Sequence, residues 1–282
     1  MSDVHTQDAP ERMARQRSDQ PGGYIWYELM TTDPAGAKRF YDAVVSGWDM
    51  ATEGVAPGVG YRMIKRSDGK MAGGVLPLTE EMQQGGARPI WIGYIHSTDV
   101  DATVEAIQAD GGKVMMEPWD QPGVGRLAMV TGPEGAPFYL MDPTPPESDP
   151  NAKSDVFSVN DAEHVRWNEL LSSDPDRSIA FFKRHFGWDQ EREMDMGPMG
   201  KYRFFQHDGI GIGAVMKTPP NVPHSIWNHY VGVADIGRAA KAIADNGGQI
   251  LHGPMEIPGG EYSLNGIDPQ GATFGLVGPR KS

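Results

Sequence analysis

Cysteine is absent from this chain of 282 residues. Disulfides, thiolate nucleophiles, iron–sulfur clusters and cysteine zinc sites are excluded together, and the redox compartment is left open. Positive charge is scarce. The 25 Lys and Arg face 38 Asp and Glu, a net of −13 at neutral pH. Nucleic acid and anionic membrane surfaces demand a basic footprint, so neither is expected as a partner. No apolar run reaches the ~18 residues that a membrane helix needs. Residues 1–20 are polar and mixed in charge, without the apolar stretch of a secretory signal. The expectation is a soluble cytoplasmic protein with a disordered tail over residues 1–21. Turn formers are plentiful, with 36 Gly and 23 Pro. They argue for many short elements and against a helical bundle.

The chain repeats itself. Trp26-Tyr27-Glu28-Leu29 returns as Trp167-Asn168-Glu169-Leu170, and the same spacing pairs Phe40 with Phe181 and Tyr61 with Tyr202. At a slightly shorter spacing Trp91 pairs with Trp227, Asp99 with Asp235 and Phe138 with Phe274. A tandem duplication therefore covers nearly the whole chain. A stretch rich in Pro, Ser and Asp separates the copies. It predicts domains over 22–145 and 161–280 with a linker over 146–160. Each copy reads as two units of strand, helix, then two or three strands. Asp33-Pro34 is a helix-start signal, with Ala37, Phe40, Tyr41 and Val44 at helical spacing behind it. Ser67-Asp68-Gly69 marks a hairpin between strands at Gly60–Arg66 and Met71–Leu76.

This order, with these residues, resembles the vicinal oxygen chelate superfamily of glyoxalase I, bleomycin-resistance proteins and extradiol dioxygenases. The resemblance is carried by Asp33, Phe40-Tyr41 and Gly47-Trp48, and by their counterparts Asp174, Phe181-Phe182 and Gly187-Trp188. The Asp268-Pro269-Gln270-Gly271 turn adds to it. It spans both copies and implies an α+β fold: two tandem domains, each a pair of βαβββ modules whose curved sheet forms a cup. Function does not follow from that fold. Metal-dependent members place His, Gln and Glu ligands at set strand positions. By the same spacing those positions hold Trp26, Ile92 and Tyr139 in one copy, and Trp167, Asn228 and Gly275 in the other. No cofactor is therefore expected. A divalent metal enters only through a displaced site around His229.

Side chains alternate along a strand, so Trp26 shares a face with Glu28, and Trp167 with Glu169. If those faces look into the cups, each cup carries an aromatic wall with one carboxylate beside it. A buried Glu is a candidate general acid or base with a raised pKa. The alternative is a structural Glu that bonds the backbone or an Arg. Tyr94, Tyr139, Asn228, His229 and Tyr230 are candidate ligand contacts by the same counting. Arg126 is another, and on that reading an anionic ligand favours the first cup. Met194, Met196 and Met199 fall in a loop-like stretch, Glu193–Gly200. Three functions follow as expectations. One is a metal-independent isomerase or lyase on a small organic molecule, with Glu28 and Glu169 catalytic. The second is a protein that binds and sequesters such a molecule. The third is a metal-dependent glyoxalase or extradiol dioxygenase. Four modules in one chain fit a monomer or a homodimer.

Overall fold

The computed structural model describes residues 20–220, 222 and 224–281. All but the last two residues of the expected tail lie outside the described residues. The first half runs β1 (Tyr24–Thr31), α1 (Pro34–Val44), β2 (Asp49–Met50), β3 (Arg62–Lys65), β4 (Met71–Pro77) and α2 (Glu80–Gln84). It continues through β5 (Ile90–His96), α3 (Val100–Ala109), β6 (Lys113–Gln121), β7 (Gly125–Thr131) and β8 (Pro137–Pro143). The second half repeats this as β9 (Val165–Ser172), α4 (Pro175–Phe186), β10 (Asp189–Asp195), β11 (Lys201–His207) and β12 (Ile210–Lys217). It then adds β13 (Ile226–Gly232), α5 (Ile236–Asp245), β14 (Gln249–Glu256), β15 (Tyr262–Ile267) and β16 (Thr273–Gly278). Each half builds one eight-stranded mixed sheet, in the orders β2-β3-β4-β1-β5-β8-β7-β6 and β10-β11-β12-β9-β13-β16-β15-β14. Two βαβββ modules meet at the antiparallel pair β1–β5, and again at β9–β13. None of the helices formed by described residues is long and apolar enough to cross a membrane.

The four long helices start alike. Asp33, Asp99, Asp174 and Asp235 each accept a backbone N–H two or three residues on, at 2.9–3.0 Å. Each such cap contributes about 1 kcal/mol. Two elements had no sequence signal. α2 has no buried residue and so no apolar period, and β2 is too short to show alternation. The stretch Glu193–Gly200 is not all loop. β10 extends to Asp195, and a single 3-10 turn over Gly197–Met199 follows.

One continuous core runs between the halves. The first long helix of each half packs on the second long helix of the other, α1 on α5 and α4 on α3. Two tryptophans repeat the same clasp across the junction. Trp48 Nε1 donates to Glu163 O at 2.8 Å, and Trp188 Nε1 donates to Gly22 O at 2.7 Å. Phe40 meets Phe274, and Phe138 meets Phe181 and Phe182. The segment expected as a linker is anchored. Val156, Phe157 and Ser158 are buried, and the buried Arg66 donates to Asp155 Oδ2 at 2.9 Å.

Asp268 ties a turn of the second half to a helix of the first. It is buried, accepts the Tyr41 hydroxyl at 3.0 Å, and takes the N–H groups of Gln270, Gly271 and Ala272 at 2.8–2.9 Å. Asp268→Ala leaves the Tyr41 hydroxyl and the N–H groups of Gln270 and Ala272 without their acceptor, while Gly271 keeps the Asp268 carbonyl. The expected loss is about 2–4 kcal/mol, read from urea unfolding, with Asp268→Asn recovering part of it. An unchanged midpoint would show that the turn does not depend on this carboxylate.

Candidate functional site

One face of each sheet joins the shared core. The other face carries the aromatic and carboxylate residues of the repeat. Beyond the register shift between Tyr24 and Trp26 the faces of β1 separate: Tyr27 and Leu29 enter the shared core, while Met30 belongs to a second, smaller cluster with Ile92, Tyr94, Leu127 and Tyr139. Register brings Trp26 opposite Tyr94 and Glu28 opposite Ile92. In the second half it brings Trp167 opposite Tyr230 and Glu169 opposite Asn228. These faces look away from the shared core, and they are the cups of the two sheets.

Both cups contain the same hydrogen-bonded frame. Trp26 Nε1 donates to the Tyr61 hydroxyl at 2.8 Å, and Trp167 Nε1 donates to Tyr202 at 2.8 Å. Tyr94 donates to Glu28 Oε2 at 2.8 Å, and Tyr61 bonds the same carboxyl. Tyr202 donates to Glu169 Oε2 at 2.9 Å, and Tyr230 donates to Oε1 at 3.1 Å. Each Glu is thus held by two tyrosines, one of them oriented by a tryptophan. Glu28 is 2% exposed, and its Oε1 is buried without a partner. Burial pushes its pKa up to about 7 against the lowering effect of the Tyr94 and Tyr61 bonds. Glu169 shifts up for the same reason, opposed by Tyr202 and Tyr230, although the residue keeps part of its surface exposed. Among the described residues no Arg or backbone N–H bonds either carboxylate, and the charge of His252 adds to the lowering effects on Glu169. A carboxyl shifted as Glu28 is can take or give a proton near neutral pH.

The cups therefore bring together Trp26, Glu28, Tyr94 and Tyr139 in the first half, and Trp167, Glu169, Asn228 and Tyr230 in the second. Tyr139 stacks on Tyr94 at 4.4 Å. Two expected site residues lie elsewhere. Arg126 alternates with Leu127, so it stands on the side of Ala128 and Val130 and not in the cup. There it forms ion pairs with Asp101 and Asp120, and the anionic preference argued for the first cup loses its basis. His229 points into the shared core, between Asn228 and Tyr230 in sequence but on the opposite face. Its Nδ1 bonds Asn168 Oδ1 at 2.8 Å, and its ring lies edge-on to Tyr27 at 5.1 Å. Tyr61 and Tyr202 were missed as site residues. Their recurrence at the repeat spacing was the available signal, because a hydroxyl kept in both copies of a loop-to-strand junction has a partner to meet.

The donor set does not fit a metal. The strand positions that would supply ligands present indole, alkyl, phenol, amide and hydrogen side chains at Trp26, Ile92, Tyr139, Trp167, Asn228 and Gly275. Among the described residues no group of three or more His, Asp or Glu converges to hold an ion. Two surface clefts lie outside the cups. One of about 410 Å³ is lined by Asp174, Asp176, Lys201, Arg203 and Lys217. The other, of about 480 Å³, is lined by Asp120, Arg126 and Asp142 among others.

Comparison with known proteins agrees with this architecture. The model of the Glyoxalase/Bleomycin resistance protein/Dioxygenase superfamily matches twice, over residues 23–140 and 162–276. CFP32 of Mycobacterium tuberculosis, named provisionally as a glyoxylase, is 31% identical over 269 residues, covering 95% of this chain and 98% of its own. The anthracycline biosynthesis protein DauV of Streptomyces sp. strain C5 is 27% identical over 93% of this chain and 95% of its own. The Mn(II)-bound glyoxalase of Novosphingobium aromaticivorans superposes with a TM-score of 0.61 at 18% identity, covering 93% of this chain and 83% of that one. The chain belongs to the glyoxalase, bleomycin resistance protein and dioxygenase superfamily.

Proposed function

We propose that this protein acts on a small organic molecule held in its cups, by metal-independent acid–base chemistry of the isomerase or lyase kind. The observation that carries the reading is Glu28: a buried carboxyl, titrating near neutrality, with one oxygen fixed by tyrosine and the other unbonded. Oε1 would take a proton from a ligand O–H or activated C–H, and Tyr94 would hold the carboxyl in place as its charge changes. Trp26, which keeps part of its surface exposed, would offer the ligand an aromatic surface beside the stacked Tyr94 and Tyr139. Met116, Met129 and Met141 are partly or largely exposed around them, and flexible thioethers adapt to an incoming planar body. The name of the relative DauV supports an aromatic ligand, since anthracyclines are polycyclic. The non-metal donor set supports the absence of a metal step.

Glu28→Gln and Glu169→Gln test it, singly and together, with binding and turnover measured apart. Turnover lost by about 100-fold or more, with ligand affinity retained, is the expected result. Retained turnover in the double variant would refute a catalytic role for either carboxylate. Elemental analysis of protein prepared without chelator completes the test. Stoichiometric Fe, Mn, Ni or Zn would instead support the glyoxalase or dioxygenase reading.

A further inference from the structure

The cups share their inner frame but not their lining. In the first half, register places Trp26, Tyr94, Tyr139, Met129 and Met116 in one row across the sheet. The equivalent row of the second half is Trp167, Tyr230, Gly275, Asn265 and His252. The inner Trp and Tyr are kept, and every residue beyond them changes from apolar or aromatic to small or polar. The neighbouring positions change in the same sense. Ile92 beside Glu28 becomes Asn228 beside Glu169, and Leu127 becomes Ser263.

The polar groups of the second cup are built into it. Asn265 Nδ2 donates to the Tyr230 hydroxyl at 2.9 Å, and that hydroxyl donates to Glu169. Asn228 is 5% exposed, and its Oδ1 is buried without a hydrogen-bond partner. A buried amide oxygen without a donor stays unsatisfied until one reaches it. The Tyr230 ring fills the space over Gly275. A Cβ there would lie 2.5 Å from the Tyr230 ring, so the ring rests on bare backbone where the first cup has a second tyrosine. Trp167 and Tyr202 each meet Phe204, at 6.0 and 5.5 Å between ring centroids, and supply an aromatic platform. The nearby cations are paired elsewhere, Arg203 with Asp176 and Arg166 with Glu261. Neither guanidinium is therefore free for an anionic ligand, and the charge of His252 acts on Glu169 itself.

We propose that the two cups take chemically different ligands: the C-terminal cup a small, neutral, multiply hydroxylated molecule, the N-terminal cup an apolar aromatic one. This rests on the reading of the cups as ligand sites. In the second cup ligand hydroxyls donate to Asn228 Oδ1 and Glu169, accept from Ser263, and lay their C–H face on the aromatic platform. The first cup offers the same carboxylate and tyrosine to a ligand surrounded by Met, Leu, Ile and Tyr.

Backbone-amide NMR titration separates the possibilities. Methyl glucoside and inositol serve as neutral hydroxylated probes, and 2-naphthol as the aromatic one. The hydroxylated probes are expected to give saturable shifts in β13 and β15, and 2-naphthol in β1 and β5. Asn228→Ile with Asn265→Met, which copies the first cup into the second, should weaken the hydroxylated probes at least tenfold. Asn265→Met alone carries the test if the double change disturbs folding. Absence of saturable shifts in β13 and β15, or equal affinity in the variants, overturns the proposal. In that case saturable binding of 2-naphthol at β1 and β5 would leave the cup reading standing. Its absence as well would remove both.

Discussion

Glu28→Gln should make the protein more stable at pH 8 and leave it unchanged at pH 4. The sign follows from the direction of the shift. The folded-state pKa is raised from 4.5 to about 7 by burial. Its contribution is fully present below pH 4.5 and is lost as pH rises through 7, because the folded state must then hold a buried charge. At 1.36 kcal/mol per unit the difference approaches about 3 kcal/mol at pH 8. Glutamine removes the charge and can keep the tyrosine contacts, so the variant should gain about 5–10 °C in unfolding temperature at pH 8. Thermal unfolding at the two pH values checks this. Equal unfolding temperatures for wild type and variant at pH 8 would mean that the carboxyl ionises without cost, and the acid–base reading of Glu28 would lose its basis. A gain in stability together with lost turnover is the combination expected of a strained functional group.

The frame that produces this strain was partly legible in the sequence. The duplication gave the two domains. Strand alternation put Trp26 with Glu28 on one face, because one face of β1 is committed to the core and a residue of either parity has only one side left. The same rule places Arg126 and His229 outside the cups. Arg126 matches a cup position by repeat, but the parity of β7 sets it on the face opposite Leu127. Its neighbours Asp101 and Asp120 come from α3 and β6, so the ion pairs that hold it are invisible to local pattern. His229 lies one residue from the ligand position at Asn228, and one residue is the distance between the two faces of a strand. The divergence between the cups was also present in the sequence, in Ile92 against Asn228 and Met129 against Asn265. It gains meaning only once register sets those residues in rows with Tyr94 and Tyr230.

His229 should make the junction between the halves acid-sensitive, in the direction opposite to Glu28. The ring is 2% exposed among Tyr24, Tyr27 and Trp227. Asn168 Oδ1 accepts both His229 Nδ1 and the Tyr27 hydroxyl, while Asn168 Nδ2 donates to Ile212 O. Burial holds the imidazole neutral, with its pKa pushed down to about 3 from 6.5. A depressed histidine contributes stability that is complete above pH 6.5 and is lost as pH falls toward 3, where the unfolded chain binds a proton that the folded one refuses. By pH 5 the loss reaches about 2 kcal/mol. Glu28 gains over much of the same interval, so the two offset each other and the wild type should change little between pH 7 and 5. Glu28→Gln uncovers the histidine, and stability then falls on acidification. His229→Asn places an amide N–H near the Nδ1 position and uncovers the glutamate, so stability then rises on acidification from a lower starting value at pH 8. His96 and His207 are depressed by burial as well and add to the fall, while Glu169 and Asp268 are raised by burial and oppose it, so the double variant should keep little net slope. Urea unfolding of the four proteins at pH 8, 6.5 and 5 reads all of these slopes. Parallel curves for wild type and His229→Asn would show that the junction admits the proton, and that the buried histidine is not what makes the halves depend on pH.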